Sequence, residues 1–204
     1  MTEFSQLNLH PQVVKAVTDQ GYTTPTDIQN DIIPIMLDGK DVTAQSQTGS
    51  GKTAAFALPI LSNMVAGGDQ VQCLTIAPTR ELAMQVAKSF EAYGKDVGVR
   101  VLAVYGGAAY GPQLSKLRRG VDVVVGTPGR LLDLIRKKHL DLSGVFTVVL
   151  DEADEMLSMG FIEDIESILK ATPKVRQTAL FSATLPTQIR RLADKYMKDP
   201  VSIT

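Results

Sequence analysis

The sequence "AQSQTGSGKTAAF", residues 44–56, joins the apolar run 41–45 to a helical stretch through a loop rich in glycine. Gly49 and Gly51 allow the backbone to adopt positive φ angles and to approach another group closely. The segment after the loop begins with Lys52 and Thr53 and continues as an apolar helix. A strand that passes through a tight loop directly into a helix is typical of the first unit of an α/β fold.

Further short apolar runs follow this unit, and helical stretches separate them. The runs are β-branched and apolar throughout, which is typical of parallel strands that are buried on both faces. The predicted strands span residues 41–45, 73–77, 100–105, 121–126, 146–151, 178–182 and 201–204. The predicted helices span residues 11–20, 27–38, 53–66, 80–93, 110–118, 129–137, 161–170 and 187–197. This alternation predicts the α/β class, with an open, mostly parallel β-sheet of about seven strands and helices on both faces.

The composition is that of an ordinary globular protein, and 204 residues suit one domain. The net charge of −1 and the pI of about 6.1 argue against broad electrostatic binding of nucleic acid, but they leave room for a local phosphate-binding edge. The first ten residues lack the basic and apolar regions of a signal peptide, and no apolar run approaches the ~18 residues of a membrane span. We therefore expect a cytoplasmic protein with no membrane partner, and nothing demands more than a monomer.

Cysteine and histidine are scarce in this chain. Cys73 is the only cysteine, and its apolar run "CLTIA" predicts a buried, unreactive thiol. With two histidines and one cysteine, a zinc site of the Cys/His type is almost excluded.

A polar or glycine-rich cluster follows the carboxyl end of nearly every predicted strand. The clusters are the glycine loop 46–53, "PTRE" (78–81), "GG" (106–107), "TPGR" (127–130), "DEAD" (151–154) and "SAT" (182–184). The carboxyl ends of parallel strands share one edge of the sheet, and open α/β folds bind their ligands there. The sequence therefore predicts that these clusters form one functional edge.

The loop "SQTGSGKT" (46–53) has the spacing of a phosphate-binding P-loop, except that Ser46 replaces the first glycine. Backbone N–H groups of such a loop and the N-terminus of the next helix favour a bound anion. Lys52 is expected to reach the β- and γ-phosphates, and the Thr53 hydroxyl to bind Mg²⁺. The alternative is a glycine-rich turn with a chance Gly-Lys-Thr, which the flanking strand and helix disfavour. The predicted nucleotide-binding residues of the loop are Ser46, Gln47, Thr48, Gly49, Ser50, Gly51, Lys52 and Thr53.

The run "VVLDEADEM" supplies the carboxylates that a P-loop requires. Asp151 ends a predicted buried strand, so we expect it to bind Mg²⁺ directly or through water. Glu152 is the candidate that positions or deprotonates the attacking water, and Lys52, Asp151 and Glu152 form the predicted catalytic set. An acidic helix start is the alternative. It explains Glu155, but it does not explain a carboxylate at the end of a buried strand.

Together these motifs resemble the first RecA-like lobe of the DEAD-box ATP-dependent RNA helicases, a P-loop NTPase lobe, over residues 4–204. The resemblance rests on "GYTTPTDIQ" (21–29), "SQTGSGKT", "PTRELA" (78–83), "GG", "TPGR", "DEAD" and "SAT", and on Phe4, seventeen residues before Gly21. It implies ATP and Mg²⁺ as cofactors. The family usually has alanine where this chain has Ser46, and both residues are small.

The resemblance also implies a site for the adenine base. Gln29 would read the base edge through paired hydrogen bonds, with Phe4, Tyr22 and Thr26 around it. For Thr26 and Gln29 the alternative is a capping box, which is compatible with base reading, and for Phe4 and Tyr22 it is core packing.

Asp154 would link to Ser182 and Thr184 and couple the nucleotide site to the RNA site. The alternative for "SAT" is a turn that caps the next helix.

RNA, single-stranded or duplex, would be bound through its phosphate backbone. The implied contact residues are Pro78, Thr79, Arg80, Gly107, Thr127, Gly129 and Arg130. Thr79 and Thr127 lie where helix N-caps belong and Pro128 suits a first helical turn, so these helix starts are suited to phosphate. For the two arginines a solvated surface charge is the alternative. For the basic run 136–139 we prefer a solvated helix end.

We expect residues 1–204 to form one RecA-like ATP-binding domain, with an adenine-reading segment at 1–30 and a P-loop core at 31–204. The resemblance implies Mg²⁺-dependent ATP hydrolysis coupled to local RNA unwinding when this lobe is joined to a second RecA-like lobe, which contributes an arginine finger. Nothing here resembles that second lobe, so we expect a piece of a longer protein; a naturally short one is the alternative. Alone, the lobe is expected to bind adenine nucleotide weakly and to hydrolyse it very slowly. The rival functions are a DNA-directed translocase, an RNA-clamping module that uses nucleotide only as a switch, and a P-loop kinase.

Overall fold

A seven-stranded sheet forms the centre of the computed structural model, which describes residues 2–204. Its strands are β1 (Val42–Gln45), β2 (Cys73–Ile76), β3 (Val101–Val104), β4 (Val123–Gly126), β5 (Thr147–Leu150), β6 (Gln177–Ser182) and β7 (Val201–Ile203). Their order across the sheet is β3-β4-β2-β5-β6-β1-β7, and neighbouring strands pair in parallel. The predicted open α/β sheet is therefore confirmed.

Nine α-helices connect or precede these strands within residues 2–204. They are α1 (Pro11–Asp19), α2 (Asp27–Leu37), α3 (Lys52–Ser62), α4 (Arg80–Tyr93), α5 (Tyr110–Arg119), α6 (Pro128–Arg136), α7 (Ala153–Ser158), α8 (Ile162–Lys170) and α9 (Thr187–Tyr196), with 3₁₀ turns at Phe4–Gln6 and Lys95–Val97. None of these helices is long and apolar enough to cross a membrane.

Helices cover both faces of the sheet, which explains why its strands are apolar throughout. Ala179 and Phe181 of β6 join one buried cluster with α1 to α4, whereas Leu180 joins a second cluster with α6 to α9. The ring of Phe181 lies 5.2 Å from that of Phe56 on α3, measured between centroids. Because successive side chains of a strand point to opposite faces, both must be apolar when helices pack on each.

Two helix predictions differ from the structure. Helix α3 ends at Ser62 and not at residue 66, because the following segment makes hydrogen bonds outside the helix. The side-chain amide of Asn63 donates to the Leu37 carbonyl, and the Val65 N–H donates to the Gln72 side chain. Helix α7 was not predicted, since its six residues are too few to show a helical period.

The strand order divides the carboxyl edge of the sheet into two neighbouring halves. Strands β5, β6 and β1 are adjacent and carry "DEAD", "SAT" and the glycine loop at their carboxyl ends. Strands β3, β4 and β2 carry "GG", "TPGR" and "PTRE". All the clusters therefore lie on one edge of the sheet. The glycine loop, "DEAD" and "SAT" occupy one half of this edge, and the implied RNA contacts occupy the other.

Candidate active site

The glycine loop turns from β1 into α3 in a way that only glycine permits. Gly51 is the N-cap of α3 and has a φ of +87°. A Cβ atom there would lie 2.6 Å from Nε2 of Gln29 and 2.9 Å from the Thr26 hydroxyl oxygen. Gly49 also has a positive φ, of +84°. The loop therefore fits closely against the start of α2 and ends at the positive N-terminus of α3, an arrangement that suits phosphate.

Lys52, Asp151 and Glu152 meet at this helix start. Nζ of Lys52 lies 2.9 Å from Oδ1 of Asp151 and 3.4 Å from Oε1 of Glu152. Asp151 is fully buried, and the ammonium of Lys52 is the positive charge that contacts its carboxylate within residues 2–204. Burial raises the pKa of Asp151, and the charge of Lys52 opposes this rise. The structure thus brings the three predicted catalytic residues together.

The backbone of Glu152 is held in an unusual conformation. Its φ and ψ angles are both 54°, in the left-handed region that residues other than glycine rarely occupy. Such conformations persist where surrounding structure imposes them, and they are frequent at functional sites. Here the residue lies between the end of β5 and the start of α7, and its carboxylate faces Lys52.

Gln29 and Thr26 form the predicted capping box at the start of α2. The Thr26 N–H donates to Oε1 of Gln29 at 2.9 Å, and the Gln29 N–H donates to the Thr26 hydroxyl oxygen at 3.4 Å. Nε2 of Gln29 also donates to the Gly51 carbonyl at 3.0 Å. An amide has two N–H donors and two acceptor sites, so one of each remains for a ligand. The capping role and a base-reading role are therefore compatible.

A cavity of about 460 Å³ lies beside this amide and opens onto the glycine loop. Phe4 lines it, yet this side chain is buried in the core as the alternative for it predicted. Tyr22 also lines the cavity but is 57% exposed, so it is not a core residue. Gln29, Thr48, Gly49, Lys52, Thr53 and Glu152 lie in the same wall.

Four further residues line this cavity, and of these Leu82 alone lies in a sequence motif, "PTRELA". Leu82, Gln85 and Tyr93 come from α4 and Val17 comes from α1. Burial raises the pKa of Tyr93, and the nearby Tyr22 adds to the rise. These side chains belong to ordinary amphipathic helices, and only the packing of α4 against α1 and α3 brings them to the cavity.

The predicted link between "DEAD" and "SAT" is present as hydrogen bonds. The hydroxyl and the N–H of Thr184 donate to Oδ2 of Asp154 at 2.9 and 3.0 Å, and the Asp154 N–H donates to the Ser182 hydroxyl oxygen at 3.0 Å. Burial by itself raises the pKa of Asp154, but hydrogen bonds led by that from Thr184 outweigh it, so the pKa lies below its ordinary value. The carboxylate therefore joins the ends of β5 and β6.

The implied RNA contacts lie together on the other half of the edge, with differing exposure. Gly107, Gly129 and Arg80 are exposed, Thr79, Thr127 and Arg130 are half-buried, and Pro78 is buried. Thr79 caps α4, since its hydroxyl oxygen accepts from the Leu82 N–H at 3.2 Å. Thr127 is at the N-cap of α6 and Pro128 at its first position, but the Thr127 hydroxyl makes no capping bond.

Residues that suit Mg²⁺ are present at the loop. Thr53 lies in the first turn of α3, and the buried carboxylate of Asp151 contacts Lys52 at the start of the same helix. Within residues 2–204, no three His, Cys, Asp or Glu side chains form a metal-binding group.

Comparison with known proteins shows the family of this chain. A family model described as DEAD/DEAH box helicase matches residues 26–192. The chain is 52% identical over 202 residues to a protein named ATP-dependent RNA helicase DeaD from Mycobacterium tuberculosis, covering 98% of this chain and 36% of that protein. It is 52% identical over 200 residues to one named ATP-dependent RNA helicase CshA from Listeria monocytogenes, covering 98% of this chain and 38% of the relative.

Among solved structures, that of a DEAD box protein from the hyperthermophile Methanococcus jannaschii matches with a TM-score of 0.95 and 44% identity, covering 100% of this chain and 56% of that one. The chain spans 36% and 38% of the two curated relatives named above. Since the family model covers most of the sequence and the fold and motifs agree with it, the chain belongs to the DEAD/DEAH box helicase family.

Proposed function

We propose that this chain is the N-terminal, ATP- and RNA-binding lobe of an ATP-dependent RNA helicase. The observation that carries the proposal is the position of Lys52 at the end of the glycine loop, 2.9 Å from Asp151 and beside Glu152. The implied RNA contacts on the same edge and the names of the relatives support it.

The nucleotide is proposed to lie across the cavity and the glycine loop. Gln29 binds the adenine edge with its remaining donor and acceptor, and Tyr22 and Phe4 pack near the base. The N–H groups of residues 46–51 and the N-terminus of α3 bind the phosphates. Lys52 then exchanges its contact with Asp151 for the β- and γ-phosphates.

Hydrolysis is assigned to the carboxylates beside Lys52. Thr53 and Asp151 would hold Mg²⁺, which supplies positive charge to the β- and γ-phosphates when bound. Glu152 orients the attacking water and accepts its proton. Lys52 stabilises the negative charge that develops on the γ-phosphate oxygens.

RNA is proposed to bind the other half of the edge through its phosphates, so binding is largely independent of sequence. A second RecA-like lobe would close over ATP and RNA, bend the strand and separate a short duplex. Asp154, Ser182 and Thr184 connect β5 with β6 beside the nucleotide and are proposed to couple the two sites. An arginine finger from that lobe contributes roughly 10³–10⁵ in rate, so this chain alone should bind nucleotide weakly and hydrolyse it very slowly.

The test is calorimetry of ADP, GDP and AMP binding with Mg²⁺ to the chain and to Gln29→Ala. We expect ADP to bind more tightly than GDP and AMP, and the variant to lose the preference for ADP over GDP. Gln188→Ala, an exposed glutamine-to-alanine change on α9, is the matched control and should behave as the parent chain. Equal binding of ADP and GDP by the parent chain would refute base reading, and no ADP binding would refute the nucleotide site.

Catalysis is tested with Glu152→Gln in a protein that carries both lobes. Single-turnover ATP hydrolysis should fall by about 10²-fold or more while ATP binding persists, because the amide cannot accept the proton. An unchanged RNA-dependent response in this variant would instead favour a clamp that uses nucleotide as a switch. Stronger stimulation of the parent protein by DNA than by RNA would favour a DNA translocase.

A further inference from the structure

The loop between β3 and α5, residues 105–109, carries the glycine pair and is called the glycine-pair loop below. Gly106 and Gly107 are exposed, and a Cβ added to either would meet no atom within 4 Å. Gly107 has a φ of +82°. Packing at the glycines therefore cannot hold the loop in this conformation, and contacts from neighbouring residues must do so.

Gln113, a buried residue of α5 that belongs to none of the motifs, binds both the loop and Arg130. Its Nε2 donates to the Tyr105 carbonyl at 3.4 Å, and its Oε1 accepts from Nη1 of Arg130 at 3.0 Å. Nη2 of Arg130 donates to the Ala108 carbonyl at 3.3 Å. The glutamine thus holds the first residue of the loop, and the arginine holds a residue near its end.

Two cation–π contacts support the same loop from its ends. The Arg130 guanidinium lies 5.0 Å from the Tyr110 ring centre, and the Arg80 guanidinium lies 4.8 Å from that of Tyr105. A planar guanidinium can donate two bonds in fixed directions while stacking on a ring, which a lysine ammonium cannot do.

We propose that Arg130 and Gln113 are positioning residues that hold the glycine-pair loop in the shape in which Gly107 meets RNA phosphate. This inference rests on the proposed RNA binding. It changes the role of Arg130 from a direct RNA contact to a residue that acts chiefly through its hydrogen bonds to Gln113 and Ala108. A backbone N–H binds phosphate well only when it is already oriented, since otherwise binding must order the loop.

The test compares Arg130→Lys, Gln113→Leu and the double variant. Lysine keeps the positive charge of Arg130 but not its two N–H donors in fixed directions. Leucine removes both hydrogen bonds of the Gln113 side chain. Each single variant should speed hydrogen exchange of residues 105–109 without RNA and weaken binding of a fluorescent uridine oligonucleotide by about five- to tenfold. The double variant should be no worse than either single one, because both break the same support.

Arg136→Lys is the matched control, since this exposed arginine ends the same helix, and it should change neither measurement. Gln113→Leu should keep the ADP affinity, because strands β4, β2, β5 and β6 lie between β3 and β1, which carries the glycine loop. Should Gln113→Leu not fold, Gln113→Glu replaces it: this variant keeps a partner for Arg130 but loses the bond to Tyr105, and loop exchange should rise less.

The inference is overturned if Arg130→Lys binds RNA as the parent chain does and leaves the loop protected, which would make Arg130 a simple phosphate contact. It is also overturned if Gln113→Leu changes neither loop exchange nor RNA binding. The exchange measurement needs no RNA. A parent chain that binds no RNA therefore refutes the proposed RNA function, while the role of Gln113 in holding the loop is still decided.

Discussion

Nζ of Lys52 lies 2.9 Å from Oδ1 of Asp151, although about half the chain separates the two residues in sequence. The side chain of Asp151 is fully buried and that of Lys52 is 10% exposed. Within residues 2–204, this ammonium is the positive charge that contacts the buried carboxylate. We therefore expect Lys52 to stabilise the ligand-free fold in addition to its proposed role at the phosphates.

Removal of this partner should destabilise the protein. Lys52→Ala leaves a buried carboxylate without a compensating charge, and we expect a loss of about 3–5 kcal/mol in the free energy of unfolding. The double variant Lys52→Ala/Asp151→Asn should recover most of this loss. Urea unfolding without nucleotide or Mg²⁺ measures it, and a double variant as unstable as the single one would show that the ion pair is not the cause.

Ser46→Ala should make the protein more stable. The Ser46 hydroxyl is buried and has no hydrogen-bond partner in residues 2–204, so its desolvation is uncompensated. Replacement by alanine should add about 1 kcal/mol to the free energy of unfolding. Ser50→Ala in the same loop is the matched control, because the Ser50 hydroxyl donates to the Gln47 carbonyl at 2.7 Å and its loss should not stabilise. A lower urea midpoint for Ser46→Ala would contradict the prediction.

Asp154→Asn should have a pH-dependent effect on stability. The pKa of Asp154 lies below its ordinary value, because hydrogen bonds led by that from Thr184 outweigh burial. The folded state thus binds this proton less readily than the unfolded state, so the ionised group stabilises the fold at neutral pH and loses this effect as pH falls through the lowered pKa. Urea unfolding should give a parent-minus-variant difference that is constant from pH 7 to about pH 5 and shrinks below about pH 4. A difference that grows on acidification would reverse the assigned sign.

Cys73 should not react with thiol reagents in the folded protein. Burial raises the pKa of this thiol to about 12, so almost no thiolate exists at pH 8, and the side chain has no access to solvent. We expect a dithionitrobenzoate assay to detect one thiol in denaturant and none in native buffer. Rapid reaction in native buffer would show that β2 is accessible.

Much of the fold was predictable because its signals are local. Predicted α4 coincides with Arg80–Tyr93, since Thr79 caps its start and Gly94 follows its end. The end of α3 was not predictable, because distant partners, Leu37 for Asn63 and Gln72 for Val65, end that helix. The short helix α7 follows a left-handed Glu152, a conformation that the sequence does not indicate.

The residues of the candidate site likewise divide into those that the sequence predicted and those that it did not. The spacing of the motifs predicted the glycine loop and its two carboxylates, and the family resemblance added Gln29. Tyr93 and Gln113 were missed, since each is an ordinary helical residue until packing places it against a cavity or a loop.

The sequence by itself determined the α/β class, the capping box and the glycine loop, because each depends on residues that are neighbours in the chain. Only the tertiary structure decided which clusters meet. The strand order sets β6 between β5 and β1, so Asp151 reaches Lys52, and it sets β4 beside β3, so Arg130 reaches Gln113. Such pairings arise from packing of the whole sheet with its helices, and no short stretch of sequence encodes them.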